Sequence, residues 1–100
     1  MPRDPVEVDP KHYKVEFEND RVRVLRCNYG PHEKSTMHTH PPCIVVMLSD
    51  CDFRLYTSEG KKQDILGKVG QIICFEEAYD HQPENLNDKP FEAIIIELKT

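Results

Sequence analysis

Apolar and polar residues alternate with a period of two along most of this chain, from Tyr13–Glu18 to Phe91–Leu98. This period places successive side chains on opposite faces of a β-strand, and no long stretch repeats its apolar residues at the 3.6-residue period of a helix. Turn residues such as Asn19-Asp20 and Gly30-Pro31 separate the alternating segments. The sequence therefore predicts an all-β meander of roughly eight or nine short strands, closed into a small barrel or a two-sheet sandwich.

Two further segments complete this prediction. The run from Cys43 to Leu48 is continuously apolar and predicts a strand that is buried on both faces. Residues 76–85 are polar and predict a bend that leads the chain to His81.

The chain of 100 residues is long enough for one domain with a single core. Residues 1–11 contain three prolines and are predicted to form an extended arm, which can lie along a neighbouring sheet edge. We expect one domain over residues 12–100. Because a small sandwich leaves sheet edges exposed and the arm is suited to covering a partner's edge, we also expect a homodimer.

The charge pattern argues against several classes of partner. The formal net charge is −5, from 13 basic and 18 acidic residues, and no basic run exceeds Lys61-Lys62. A nucleic-acid surface needs a basic patch, so nucleic acid is not expected as a partner. No apolar stretch approaches the ~18–20 residues that span a membrane, and the N-terminal segment is charged and proline-rich rather than signal-like. We therefore expect a cytoplasmic protein without a membrane partner.

The four cysteines show no CxxC spacing. In a cytoplasmic chain they are expected to be reduced thiols, mostly packed as small apolar residues. They are Cys27, Cys43, Cys51 and Cys74.

His38 and His40 stand two residues apart, directly ahead of the apolar run that begins near Cys43. Alternate residues of an extended segment point to the same face, so both imidazoles can reach one divalent metal ion. A third ligand must then come from elsewhere in the chain. In a small barrel the ends of successive strands meet, and this would allow His81 to join the pair.

These residues resemble the two motifs of the cupin superfamily, G-x5-H-x-H-x3-4-E-x6-G and G-x5-P-x-G-x2-H-x3-N. The segment from Gly30 through His38 to His40 matches the first motif, with seven residues rather than five between the glycine and the first histidine. The segment from Gly70 through His81 to Asn85 matches the spacing of the second.

The second motif departs from the family at Glu76, where cupins have proline, and at Ala78, where they have glycine. The resemblance covers roughly residues 15–98 and extends to small single-domain bacterial cupins, some of them associated with β-alanine degradation. It implies a double-stranded β-helix, the jelly-roll barrel of cupins. It also implies that His38, His40 and His81 bind a divalent metal inside it, with iron(II) preferred and zinc, nickel or manganese as alternatives.

The glutamate of the first motif is missing. Counting forward from His40 places it at Ile44 or Val45, whereas counting back from Leu48 places it at Cys43, which we prefer because the strand fixes the ligand face. Three readings of Cys43 remain open: a packed small residue, a thiol lining the pocket beside the metal, or a fourth ligand of a closed zinc site.

A three-histidine site with cysteine at this position is similar to that of thiol dioxygenases, which often join the cysteine to a tyrosine downstream of the last histidine. No tyrosine follows His81, and the nearest candidates are Tyr79, Tyr56 and Tyr29. With Cys43 we therefore carry two further candidate catalytic residues. They are Tyr56 and Glu76, the latter as an acceptor for an imidazole N–H.

The remaining histidines, His12 and His32, lie in polar segments and are predicted to be exposed bystanders. The hypothesis that follows is a non-haem iron(II) dioxygenase acting on a small organic molecule that chelates the open side of the metal. The alternative is a zinc or nickel binding or sensor module without turnover.

Overall fold

The computed structural model describes residues 3–99, which form a helical turn and a sandwich of antiparallel strands. The elements in chain order are α1 Pro5–Val8, β1 Tyr13–Glu18, β2 Val22–Tyr29, β3 His38–His40, β4 Cys43–Met47, β5 Cys51–Tyr56, β6 Lys62–Gly67, β7 Ile72–Phe75, β8 Tyr79–Asn85 and β9 Phe91–Leu98. The all-β prediction is confirmed. Within residues 3–99, no helix is long and apolar enough to cross a membrane.

The strands form two sheets, one with the order β1-β2-β9-β4-β7 and the other with the order β3-β8-β5-β6. Two hairpins, β1-β2 and β5-β6, join strands that are neighbours in sequence. The other pairings are long-range, because β9 lies between β2 and β4 while β8 lies between β3 and β5. The predicted simple meander is therefore wrong. From β2 to β5 and again from β6 to β9, successive strands lie in opposite sheets, and this allows each to bury its inward face against the opposite layer.

Inward residues at alternate strand positions fill the space between the sheets. Cys27, Cys43 and Cys51 are buried among them and Cys74 is exposed, and all four are free thiols, as the spacing predicted. The core consists of Tyr13, Leu25, Cys27, Tyr29, Cys43, Met47, Cys51, Phe53, Phe91, Ala93 and Ile95.

Strand β4 is buried on one face only. Cys43 and Met47 point inward and are buried, whereas Ile44 and Val46 point outward and are half-buried. The prediction of a strand covered on both faces is wrong, because β4 lies in one layer of a two-layer sandwich and its outward residues stay partly exposed.

Residues 79–85 form a strand rather than the predicted bend. Pro83 is compatible with β8 because it needs no N–H here, and its carbonyl accepts a hydrogen bond from the Ser35 backbone N–H at 2.9 Å. The inward residues of this strand are mostly polar, which hides the period-two pattern from an analysis of hydrophobicity. They are His81, Pro83 and Asn85.

The N-terminal segment packs against its own chain. Instead of an extended arm, Pro5–Val8 forms one helical turn, because Asp4 caps it by accepting the Val6 N–H at 3.0 Å and proline suits the first helical position. Asp4 also forms an ion pair with Arg23 at 2.8 Å, and Pro5 is buried. Pro2 lies outside the described residues.

Candidate metal centre

Three buried histidines converge inside one end of the sandwich. His38 on β3 is directly opposite His81 on β8, and His40 follows on the same face of β3. The Nε2 atom of His38 lies 3.1 Å from that of His40 and 3.0 Å from that of His81. The structure thus brings together the three histidines that the motif resemblance implied.

Hydrogen bonds at the opposite ring nitrogens orient two of these imidazoles. Nδ1–H of His38 donates to the Thr36 carbonyl at 2.7 Å, and Nδ1–H of His40 donates to Glu97 Oε2 at 3.0 Å. In a neutral imidazole with its proton on Nδ1, the Nε2 lone pair is free to bind a metal. This is the arrangement in which metal-binding histidines are commonly held.

Burial lowers the pKa of two of the three imidazoles. Burial and the neighbouring His40 lower the pKa of His38 to about 4, and burial together with the two other histidines lowers the pKa of His81 well below its ordinary value. Nδ1 of His81 is buried and has no hydrogen-bond partner among the described residues. One buried polar atom beside the site therefore lacks the partner that a buried water molecule would supply.

This donor set fits a divalent transition metal. Two nitrogen atoms in adjacent octahedral positions, each about 2.1 Å from a metal, lie about 3.0 Å apart, and the observed Nε2 separations are 3.0 and 3.1 Å. Among residues 3–99, these three are the group of histidine, cysteine or acidic side chains whose donor atoms lie close enough to share an ion.

Glu97, on β9 of the opposite sheet, was missed by the sequence analysis. It is 3% exposed and bridges His40 and Arg23, whose Nε donates to Glu97 Oε1 at 2.8 Å. Burial alone would raise the pKa of Glu97, but the hydrogen bonds from His40 and Arg23 outweigh it and hold the pKa below its ordinary value. A sequence signal existed, because Glu97 falls at an inward position of β9 where the preceding inward residues are apolar.

A second polar network contacts His38 at Nδ1, the ring nitrogen that points away from the other two histidines. Ser35 Oγ lies 3.2 Å from His38 Nδ1 and donates to the buried carboxylate of Asp9. His12 lies between that carboxylate, at 2.7 Å, and Glu33, at 3.0 Å. The prediction that His12 is an exposed bystander is therefore wrong, since it is 6% exposed.

Cys43 is buried in the same region but is not a member of the histidine cluster. Its sulfur lies 3.9 Å from the Tyr79 hydroxyl, and burial raises the pKa of the thiol to about 11. Of the three readings of Cys43, the structure favours the packed residue and gives no support to the fourth ligand.

The two other candidate catalytic residues do not contact the histidines. Glu76 is exposed, and Glu97 makes the carboxylate contact to an imidazole that was predicted for it. Tyr56 lies on the outer face of β5, where its hydroxyl donates to Glu84 at 2.7 Å. Its position follows from strand parity, because the neighbouring Leu55 takes the inward position.

No protein-family model matches the chain, and no curated protein matches its sequence. Solved structures do match. A cupin domain from Bordetella pertussis Tohama I is 26% identical, with a TM-score of 0.81 over 88% of this chain and 92% of that one. A double-stranded β-helix protein from Klebsiella pneumoniae is 18% identical, with a TM-score of 0.69 over 86% of this chain and 74% of that one.

The fold is therefore the double-stranded β-helix of cupin-domain proteins, as the motif resemblance implied. The fold and the three-histidine cluster together support a metal-binding cupin. A polyketide cyclase from Streptomyces resistomycificus has the same fold, at 12% identity and a TM-score of 0.63 over 86% of this chain and 63% of that one. Because proteins with one fold catalyse different reactions, the fold alone does not identify the reaction of this protein. The similarity to thiol dioxygenases and to β-alanine cupins stays a prediction.

Proposed function

We propose that this protein is a metal-dependent enzyme of the dioxygenase type that acts on a small organic molecule. The observation that carries the proposal is the convergence of three imidazole Nε2 atoms, at 3.0 and 3.1 Å, without a carboxylate among the donors. Iron(II) is the preferred metal, with zinc, nickel or manganese as alternatives. Bound here, iron(II) would supply open coordination positions for a substrate donor atom and dioxygen.

The residues of this chain have distinct parts in this proposal. His38, His40 and His81 bind the metal, while Thr36 and Glu97 fix the orientation of two of the rings. Tyr79 packs beside His81, and the centroids of the two rings lie 4.7 Å apart.

Oxygen consumption tests the proposal. The protein is loaded anaerobically with one equivalent of iron(II) and offered a small thiol, a β-diketone or a keto acid in an oxygen electrode. We expect at least one of them to drive uptake well above that of the His81→Ala variant. No uptake above that control with any of these classes would overturn the dioxygenase proposal.

The alternative of a non-catalytic zinc or nickel module predicts stoichiometric metal without turnover. Its closed form requires a cysteine ligand, and the position of Cys43 outside the histidine cluster counts against that form. Elemental analysis after growth in balanced metals identifies the ion that the protein selects.

The homodimer stays a prediction. Arg3, Asp4 and Pro5 contact this chain's own strands, so we no longer expect the N-terminal segment to cover a partner's sheet edge. Sedimentation velocity of the intact chain measures its oligomeric state directly.

A further inference from the structure

Two spaces adjoin the histidine cluster. One is a small apolar cavity of about 70 Å³ between the sheets, and the other is a wider space of about 490 Å³, here called the mouth. The same four side chains line both spaces and separate them. They are Leu55, Phe75, Tyr79 and His81. Since His81 belongs to the histidine cluster and lines both spaces, we take the mouth as the approach for a ligand from solvent.

The wall of the mouth is acidic. Glu76, Glu77 and Asp80 line it, and of the described residues that line it none is lysine or arginine. Recognition of a carboxylate or phosphate group commonly uses a guanidinium in a two-pronged contact. Arg23, which contacts Glu97 behind His40, is already held by Asp4 and Glu97 at 2.8 Å each. Apart from the metal ion itself, an anionic ligand would thus meet like charge at the mouth and no cationic side chain.

His81 reaches both spaces. It is 8% exposed, lines both of them, and has a buried Nδ1 without a hydrogen-bond partner among the described residues. When its Nε2 faces the metal, Nδ1 lies on the opposite edge of the ring, carries the proton and needs an acceptor. A buried water molecule would satisfy it.

We propose that this site selects a small organic molecule that is neutral or positively charged, with a short apolar part for the cavity, and that it disfavours carboxylates and phosphates. The inference deepens the proposed metal site and rests on it. Selection arises from Glu76, Glu77 and Asp80 at the mouth, whose field favours a cation and opposes an anion over a distance of about one Debye length, ~8 Å at physiological ionic strength.

A charge series of thiols tests the inference without relying on turnover. The protein is loaded with cobalt(II) as a spectroscopic probe, and binding is followed by sulfur-to-cobalt charge-transfer absorption. The probes are 2-aminoethanethiol as the cation, 2-mercaptoethanol as the neutral form and mercaptoacetate as the anion. Each titration is repeated with the Glu76→Gln/Glu77→Gln variant, so that the intrinsic affinity of each thiol for cobalt cancels in the ratio of the two Kd values.

We expect the double variant to bind the aminothiol about three- to tenfold more weakly at low salt, to bind mercaptoacetate more tightly by a similar factor and to bind mercaptoethanol unchanged. An Asp20→Asn/Glu59→Gln variant removes two charges from turns away from the mouth and is the matched control. Equal effects on all three thiols, or equal effects of the control, would overturn the inference while leaving the metal site intact. A protein that takes up no cobalt would overturn the metal site itself, and the inference with it.

Discussion

His38 and His81 are direct partners across β3 and β8, and their Nε2 atoms lie 3.0 Å apart although the two residues are 43 positions apart in sequence. Because both side chains are buried, and burial lowers the pKa of each, the pair presents lone pairs rather than positive charge to the space between them. This relationship makes the site suitable for a cation.

Removal of one ligand is expected to abolish stoichiometric metal binding. His81→Ala leaves two imidazoles, too few for a stable site, so bound metal should fall from about one equivalent to a small fraction. Elemental analysis after gel filtration measures it. The control is His32→Ala, since His32 is exposed and bonds to Asp88. Equal metal content in the two variants would contradict the assignment.

Glu97→Gln is expected to weaken metal binding by about 10–100-fold, the usual effect of changing a group that orients a ligand. Competition titration with a chromophoric chelator measures the change. Glu92→Gln is the matched control, because Glu92 lies on the outer face of the same strand and pairs with Arg26. If both variants bind metal alike, Glu97 does not act through His40.

Cys43→Ala is expected to leave metal content unchanged, because the sulfur lies outside the histidine cluster. Loss of the buried sulfur should lower the free energy of unfolding by about 1 kcal/mol. Elemental analysis and urea unfolding measure the two effects separately. Loss of metal from this variant would restore the reading of Cys43 as a ligand.

His12→Ala is expected to lower the free energy of unfolding by about 2–4 kcal/mol, because it leaves the buried Asp9 carboxylate without its imidazole partner. The change also removes the stacking of His12 on Tyr29, whose ring centroids lie 4.3 Å apart. Urea unfolding of the metal-free protein measures the effect. A loss no greater than that of His32→Ala would return His12 to the role of a bystander.

Glu33 should make stability depend on acid pH. Contacts with Lys11, the Gly30 backbone N–H and His12 lower the pKa of Glu33 from 4.5 to about 2. A carboxyl with a lowered folded-state pKa stabilises the fold fully above its unfolded-state pKa and loses this contribution as the pH falls through the folded-state value.

The stability difference between the protein and its Glu33→Gln variant should therefore be constant above about pH 5 and shrink towards pH 2. Urea midpoints across this range test it, with Glu59→Gln in the β5–β6 turn as the control. A difference that is the same at both ends of the range would contradict the assignment.

Strands with a clear apolar–polar alternation were predicted correctly, and one strand without it was not. β1 and β9 alternate clearly and were predicted with the bounds that the structure shows. β8 was mistaken for a bend because His81 and Asn85 point inward, and inward polar residues erase the hydrophobic period. Glu97 was overlooked because a single charged residue near a strand end is expected to be solvent-exposed. Only the packing of the opposite sheet buries it.

The sequence by itself determined the all-β class and the three histidines, because strand periodicity and motif spacing are local properties of the chain. Only the tertiary structure decided what surrounds those histidines. Packing of β9 across the sandwich brings Glu97 to His40 and pairing of β3 with β8 brings His81 to His38, while Cys43, Glu76 and Tyr56 stay out of contact with the rings. These contacts join residues far apart in sequence, unlike the local contact of His38 with Thr36, and burial then sets the charge of each group, which no local pattern encodes.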